Sequence, residues 1–208
     1  MGAGILPITL CSDGKIYLLF GKENKYEDSA SGWSDFGGGT DNNETFIQTA
    51  CREGSEELTG FLGSSNDISK MLKKGAYTID YTDKSGKHGT YRTHLVPLLY
   101  DPMLPYYYNN NQRFLQKHLD PKIIQSTKIF EKAEIRWICI DNLKKMRKQF
   151  RSFFQYIVDE LIANKSEITL FVKERMTQPP QLQKTRKSKK SRKSRKSRKS
   201  KKSRISRK

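Results

Sequence analysis

Residues 4–10 and 15–21 are short, mostly apolar runs on either side of Ser12-Asp13-Gly14, which predicts two strands joined by a hairpin turn there. Residues 23–32 are polar with Gly and Ser, a loop. Further on the pattern changes. Ile47, Ala50, Cys51, Gly54 and Leu58 recur at i, i+3, i+4, i+7 and i+11, the spacing of a single buried helix seam. Residues 76–81 and 91–100 form a second hairpin pattern around Asp83-Lys84-Ser85-Gly86. Two prolines and an asparagine run make residues 101–111 read as a loop. A strand follows at 135–140. From 143 to 162 a stripe through Leu143, Met146, Phe150, Phe154, Ile157 and Leu161 predicts one last helix of about five turns.

The helix that follows Gly37-Gly38-Gly39 has two unlike faces. Opposite its apolar seam stand Glu53, Glu56 and Glu57, which span roughly a 100° arc at 100° per residue. Like charges one turn apart cost an isolated helix about 0.2–0.5 kcal/mol per pair. Asp41 and Glu44, three residues apart, predict a capping box at the helix start. An acidic helix face is by itself ordinary solvated surface. What singles this one out is its wider spacing: Gly38, five residues, Glu44, seven residues, Arg52-Glu53, then Glu56-Glu57.

That spacing resembles the Nudix box, the motif of a family of diphosphate hydrolases. The likeness is specific over residues 38–60 and extends, as an order of elements, over roughly residues 4–165. It implies an α/β fold, an α/β/α sandwich with a mixed sheet. By resemblance Glu53, Glu56 and Glu57, together with Gly38, are the metal site, for Mg²⁺ or Mn²⁺, whose preference for oxygen ligands suits carboxylates. Catalysis falls to Glu53, Glu56, Glu57 and a glutamate before the late strand, with Glu134 the first choice and Glu131 the reserve. Gly38, Glu44 and Arg52 are the structural part of the box, holding the loop to the helix. Two positions depart from the family pattern. Gly54 stands where a bulky apolar residue is usual, which suggests close approach of helix and sheet. Thr59 takes the place of the closing glycine, which arrives late at Gly60 and suggests a slightly longer final turn.

Charge divides the chain. Of its 40 Lys and Arg, 16 fall in residues 184–208, which hold no Asp or Glu; the other 24 face 22 acidic residues, a net of +2. Residues 1–176 are therefore expected to form the Nudix domain, 177–183 a linker, and 184–208 a disordered tail in which Ser recurs every third residue. Such a tail binds polyanions with strong salt dependence, and nuclear targeting or DNA packaging would need the same composition. Cys11, Cys51 and Cys139 are too scattered for a zinc cluster, and with no signal peptide pattern they suggest a reducing, cytoplasmic setting. No apolar run is long enough to cross a membrane, and Leu6 rejects a myristoylation site at Gly2.

Substrate residues are less determined. Trp33 precedes the glycines, and Tyr106, Tyr107 and Tyr108 offer either a stacking platform for a base or loop packing. Lys144, Arg147, Lys148 and Arg151 form a basic helix face that reads as an RNA path or as solvated surface. Body and basic tail together look like the Nudix proteins of large DNA viruses, some of which remove mRNA caps. Three functions follow: a hydrolase of capped RNA, a hydrolase of free nucleotides or another small diphosphate, and a nucleic-acid-binding protein without catalysis. The intact glutamate set argues against the third.

Overall fold

The computed structural model describes residues 1–25, 31–82, 89–127 and 131–177. Its frame is a mixed sheet in which β1 (Gly2–Leu10) lies centrally. On one side β1 pairs in parallel with β6 (Thr90–Pro97), which pairs antiparallel with β5 (Tyr77–Thr82). On the other side it is shared. Residues 8–10 pair with β2 (Ile16–Glu23), and residues 2–5 pair with β4 (Phe36–Gly39). Beyond β2 lie β3 (Trp33–Ser34) and the edge strand β7 (Lys132–Cys139), both antiparallel to it. The first hairpin turns where expected, with Gly14 at φ +76°. The second pairs as expected; its turn residues lie outside the described ones. So do residues 26–30 of the polar loop, most of the linker and the whole basic tail.

Strand alternation gives the sheet two apolar faces. Ala3, Ile5, Leu19, Phe36, Val96 and Ile135 point to a layer made by α1 (Phe46–Glu57), α2 (Ser65–Lys73) and α3 (Met103–His118). Leu6, Ile8, Leu18, Phe20, Leu95 and Ile138 point to the other, made by α5 (Leu143–Met146), α6 (Phe154–Ala163) and α7 (Lys165–Thr177). A sheet between two helical layers is the expected α/β/α sandwich. No helix among the described residues is long and apolar enough to cross a membrane.

The details of α1 differ from expectation at both ends. Its capping box is Thr45 with Gln48, four residues past Asp41; Glu44 instead reaches back to the Asp41 N–H at 3.1 Å and closes the preceding loop. Ile47 is half exposed, while Ala50, Cys51, Gly54 and Leu58 are buried. Gly54 does mark the close approach: a Cβ there would sit 2.6 Å from Ile5 Cδ1. At the C-terminus there is no longer turn. Thr59 and Gly60 both adopt left-handed φ, +48° and +76°, and their N–H groups close onto the Glu56 and Ser55 carbonyls. Left-handed backbone costs an L-residue about 1–2 kcal/mol, and Thr59 also buries a hydroxyl without a partner. Thr59→Gly should therefore stabilise the fold by about 0.5–1 kcal/mol after the entropy glycine adds to the unfolded chain. The urea midpoint should rise with an unchanged slope; a lower midpoint would show that the strain is not there.

Residues 101–111 are not a loop. Pro102 caps α3 and Pro105 lies in its first turn, where backbone N–H groups have no helical partner to lose. Leu104, Tyr108 and Gln112 then recur every four residues on its buried side. The last helix is not continuous either. Phe150 pairs with Trp33 as a parallel bridge and the Arg151 N–H donates to the Trp33 carbonyl at 3.1 Å, so the chain breaks between α5 and α6. The short α4 (Pro121–Ser126), α2 and α7 complete the body.

Candidate active site

The glycine strand β4 runs into the loop before α1, and Arg52 ties that loop down. Its guanidinium donates to both Glu44 oxygens at 2.9 and 3.0 Å, to the Gly39 carbonyl at 3.0 Å, and to Glu53 Oε1 at 2.8 Å. The Arg52 hydrogen bonds hold Glu44 at a pKa of about 2, so it stays an anion. Gly38 is needed for proximity, because a Cβ there would lie 2.5 Å from Glu53 Oε1. Glu44 and Arg52 are thus in direct contact, and Gly38 lies against Glu53.

The three box glutamates are not equivalent. Glu57 is buried and the Glu53 side chain is 12 % exposed, whereas Glu56 stands at the rim, 53 % exposed, 3.4 Å from Arg52. Burial raises the pKa of Glu57 well above a normal carboxylate, against the pull of the Lys132 charge, and burial also raises Glu53. A fourth carboxylate joins them: Glu53, Glu57 and Glu131 each offer one oxygen, and the three oxygens lie within 4.8 Å of one another. Among the described residues Glu57 Oε2 is buried without a hydrogen-bond partner. Three converging carboxylates, one of them with an unsatisfied oxygen, fit a hard divalent cation. Of the two candidates for the fourth glutamate, Glu134 lies out along β7 and pairs with Arg136 at 2.5 Å, while Glu131, just before the strand, reaches the cluster.

Beneath the glutamates lies a charged network that the sequence did not reveal. Lys132 has a fully buried side chain whose Nζ lies 2.5 Å from Glu23 Oε1, 2.9 Å from Ser34 Oγ and 3.2 Å from Glu57 Oε1. Arg151 donates to the same Glu23 oxygen at 2.9 Å. Burial works against the Lys132 charge, but Glu57 and Glu23 hold its pKa above the usual lysine value. Lys132 thus occupies one oxygen of Glu57.

Behind the glycines Asp35 accepts hydrogen bonds from the Tyr91 and Thr93 hydroxyls, both at 2.8 Å. Burial raises its pKa from 3.8 to about 6, although those bonds and the nearby Lys132 and Arg151 charges oppose the rise. A carboxyl raised on folding favours the folded state while protonated. That contribution is fully present below about pH 4 and is lost as pH rises through about 6. Asp35→Asn should remove this dependence. The stability of the wild type relative to the variant is expected to fall by about 3 kcal/mol between those limits, two units at 1.36 kcal/mol each. Parallel pH profiles for the two proteins in urea melts would remove Asp35 from this role.

The proposed substrate residues scatter. Trp33 is buried in the core at 3 % exposure, with the Arg136 guanidinium 5.0 Å from its ring centre, so it offers no face to a base. Tyr108 is also core, its hydroxyl donating to the Glu57 carbonyl at 2.7 Å. Tyr106 and Tyr107 are exposed on α3. Of the basic set, Arg147 is clamped by Asp159 through two 2.7 Å contacts, and Arg151 belongs to the buried network. Lys144 and Lys148 are exposed, so the four do not form one open basic path.

The structure is similar to that of a Nudix hydrolase from M. smegmatis, RenU: 17 % identity, 81 % of this chain and 87 % of that one, TM-score 0.50. A C. elegans Ap4A hydrolase also matches, at 17 % identity over 82 % of this chain and 96 % of that one, TM-score 0.44. No protein-family model and no curated protein matches the chain.

Proposed function

We propose that this chain, whose body has the fold of the Nudix hydrolases, is a divalent-metal-dependent hydrolase of a nucleoside diphosphate linkage, and that its substrate is the 5′ cap of mRNA. The observation that carries the hydrolase reading is the convergence of Glu53, Glu57 and Glu131 within 4.8 Å, with Glu57 Oε2 buried and, among the described residues, unpartnered. When bound, Mg²⁺ or Mn²⁺ supplies charge for the phosphates and makes water a nucleophile at neutral pH. The chain's own part is to hold the carboxylates in place. Arg52 pins Glu53 and the glycine loop, Lys132 fixes one oxygen of Glu57, and Gly38 leaves Glu53 its room. Glu56 stands one turn beyond Glu53 at the rim, where a substrate phosphate would arrive.

The preference for capped RNA rests on charge. Sixteen Lys and Arg in residues 184–208 suit a diphosphate attached to a long polyanion better than a free nucleotide. Binding energy from the remote chain can lower the barrier only when that chain is present. The test compares cap-labelled RNA with nucleoside triphosphates, dinucleoside polyphosphates and free cap analogue at equal Mn²⁺. Decapping expects methylated guanosine diphosphate released from long RNA with a much higher kcat/KM than from the analogue. If free nucleotides are cleaved far better, the small-diphosphate hydrolase takes its place.

A further inference from the structure

The buried side of α3 is tied to the candidate active site. The Tyr108 hydroxyl donates to the Glu57 carbonyl, and Asn109 bonds both the N–H and the C=O of Ile135 at 2.8 and 3.0 Å. Its outer side has an unusual composition. Tyr106, Tyr107 and Phe114 are 56, 58 and 61 % exposed, and with them stand Arg113, Lys117 and His118, also exposed. At 100° per residue these six fall within an arc of about 140°, one continuous face. The rings are arranged in two groups: Tyr106 and Tyr107 meet edge to face at 5.4 Å, and Phe114 lies 4.5 Å from His118. No Asp or Glu occurs between residues 102 and 119. Sixteen residues give the helix a length of roughly 24 Å at 1.5 Å per residue, enough for several nucleotides.

An exposed row of rings normally marks an interaction surface. Rings interleaved with cations and lacking any acid are what a single-stranded nucleic acid recognises: bases stack on the rings while Arg and Lys follow the phosphates. A symmetric contact between two copies of this face would instead bring the cations of both copies into one interface to which neither copy contributes an acid. We infer that the outer face of α3 is the binding track for a single RNA strand, leading from the glutamate cluster along Tyr106, Tyr107 and Phe114. It replaces the Lys144–Arg151 face, half of which is engaged in ion pairs. The strand's destination rests on the hydrolase reading above; the binding itself does not.

The experiment measures anisotropy of a fluorescein-labelled single-stranded RNA with the full chain, without metal, at low and high salt. High salt suppresses the contribution of the basic tail, while stacking persists. Tyr106→Ala/Tyr107→Ala/Phe114→Ala should weaken high-salt binding by roughly 10–100-fold, given the usual loss per stacked base. Arg113→Gln/Lys117→Gln should weaken low-salt binding and flatten the dependence of affinity on salt. All five side chains are exposed, and circular dichroism melts check that each variant folds. As a second measurement, thiouridine-containing RNA should crosslink to peptides spanning residues 106–114. Unchanged high-salt affinity in the triple variant, or crosslinks only elsewhere, overturns the inference. So does a concentration-dependent self-association abolished by the triple variant with RNA affinity intact, which would make the face a protein interface. RNA binding on α3 by a protein that cleaves no diphosphate would overturn the hydrolase reading and leave this one standing.

Discussion

Glu57→Gln is expected to leave the protein folded and to lower kcat for diphosphate hydrolysis by about 10²–10⁴, the range for losing a group that acts on the reacting proton or its nucleophile. The substitution changes little in shape. It replaces a carboxylate that has one oxygen 3.2 Å from Lys132 and the other, among the described residues, without a hydrogen-bond partner, in the cluster with Glu53 and Glu131. Gln has one oxygen in place of two and no charge. Mn²⁺ should therefore stabilise the wild type and not the variant. At a free concentration of 100 times Kd a ligand bound only to the folded state adds about 2.7 kcal/mol. The two readouts, turnover and Mn²⁺-dependent melting, separate loss of chemistry from loss of fold. Full activity of the Glu57→Gln protein with an unaltered Mn²⁺ shift would remove this helix from the reaction.

The part of this site that could be read from the sequence is the part built within one helix and its loop. Glu53, Glu56, Glu57, Arg52 and Glu44 lie within fourteen positions, and helical periodicity fixes how they face. Glu131 was visible only as a reserve. Its advantage over Glu134 depends on pairing between β2 and β7, where the register shifts between Lys22 and Glu23. Lys132 and Glu23 are 109 positions apart, and nothing local marks either as buried. Buried charges take their identity from a partner, and a partner so distant leaves no period to read. α3 was missed for another reason. Proline breaks helices in their interior, but here both prolines precede the first obligatory hydrogen bond, so the usual signal pointed the wrong way. α2 was missed as well, although Ser64 and Asp67 stand at capping-box spacing ahead of Ile68 and Leu72. The fold class needed none of these details. The resemblance of the box implied a mixed sheet between helical layers, and the order of two hairpin patterns, one two-faced helix, a late strand and an apolar stripe agreed with it.

Lys132→Met should produce the largest loss of stability of any single change near the site. Methionine fills the path of the lysine's aliphatic stem without its ammonium and leaves its charge partners where they are. Among the described residues Glu23 would keep Arg151 and Ser34, and Glu57 would lose the Lys132 cation. Removing one member of a buried ion pair typically costs about 3–5 kcal/mol, most of it the penalty of the charge left behind. For a domain of this size each kcal/mol shifts Tm by about 2–4 °C, so a drop of roughly 6–20 °C is expected. Two further proteins divide the cause. In Glu23→Gln/Lys132→Met a negative charge leaves with the positive one, so the double variant should melt above the single one, a coupling that a purely steric defect would not show. In the single variant Mn²⁺ should raise Tm by more than it does in the wild type. A divalent cation among Glu53, Glu57 and Glu131 would supply, a few ångströms away, the positive charge that Glu57 has lost. The lysine and the metal would then act on the same carboxylate. If Lys132→Met melted within a degree or two of the wild type, or gained nothing extra from Mn²⁺, Glu57 would not depend on that lysine, and its orientation would have to come from the helix alone.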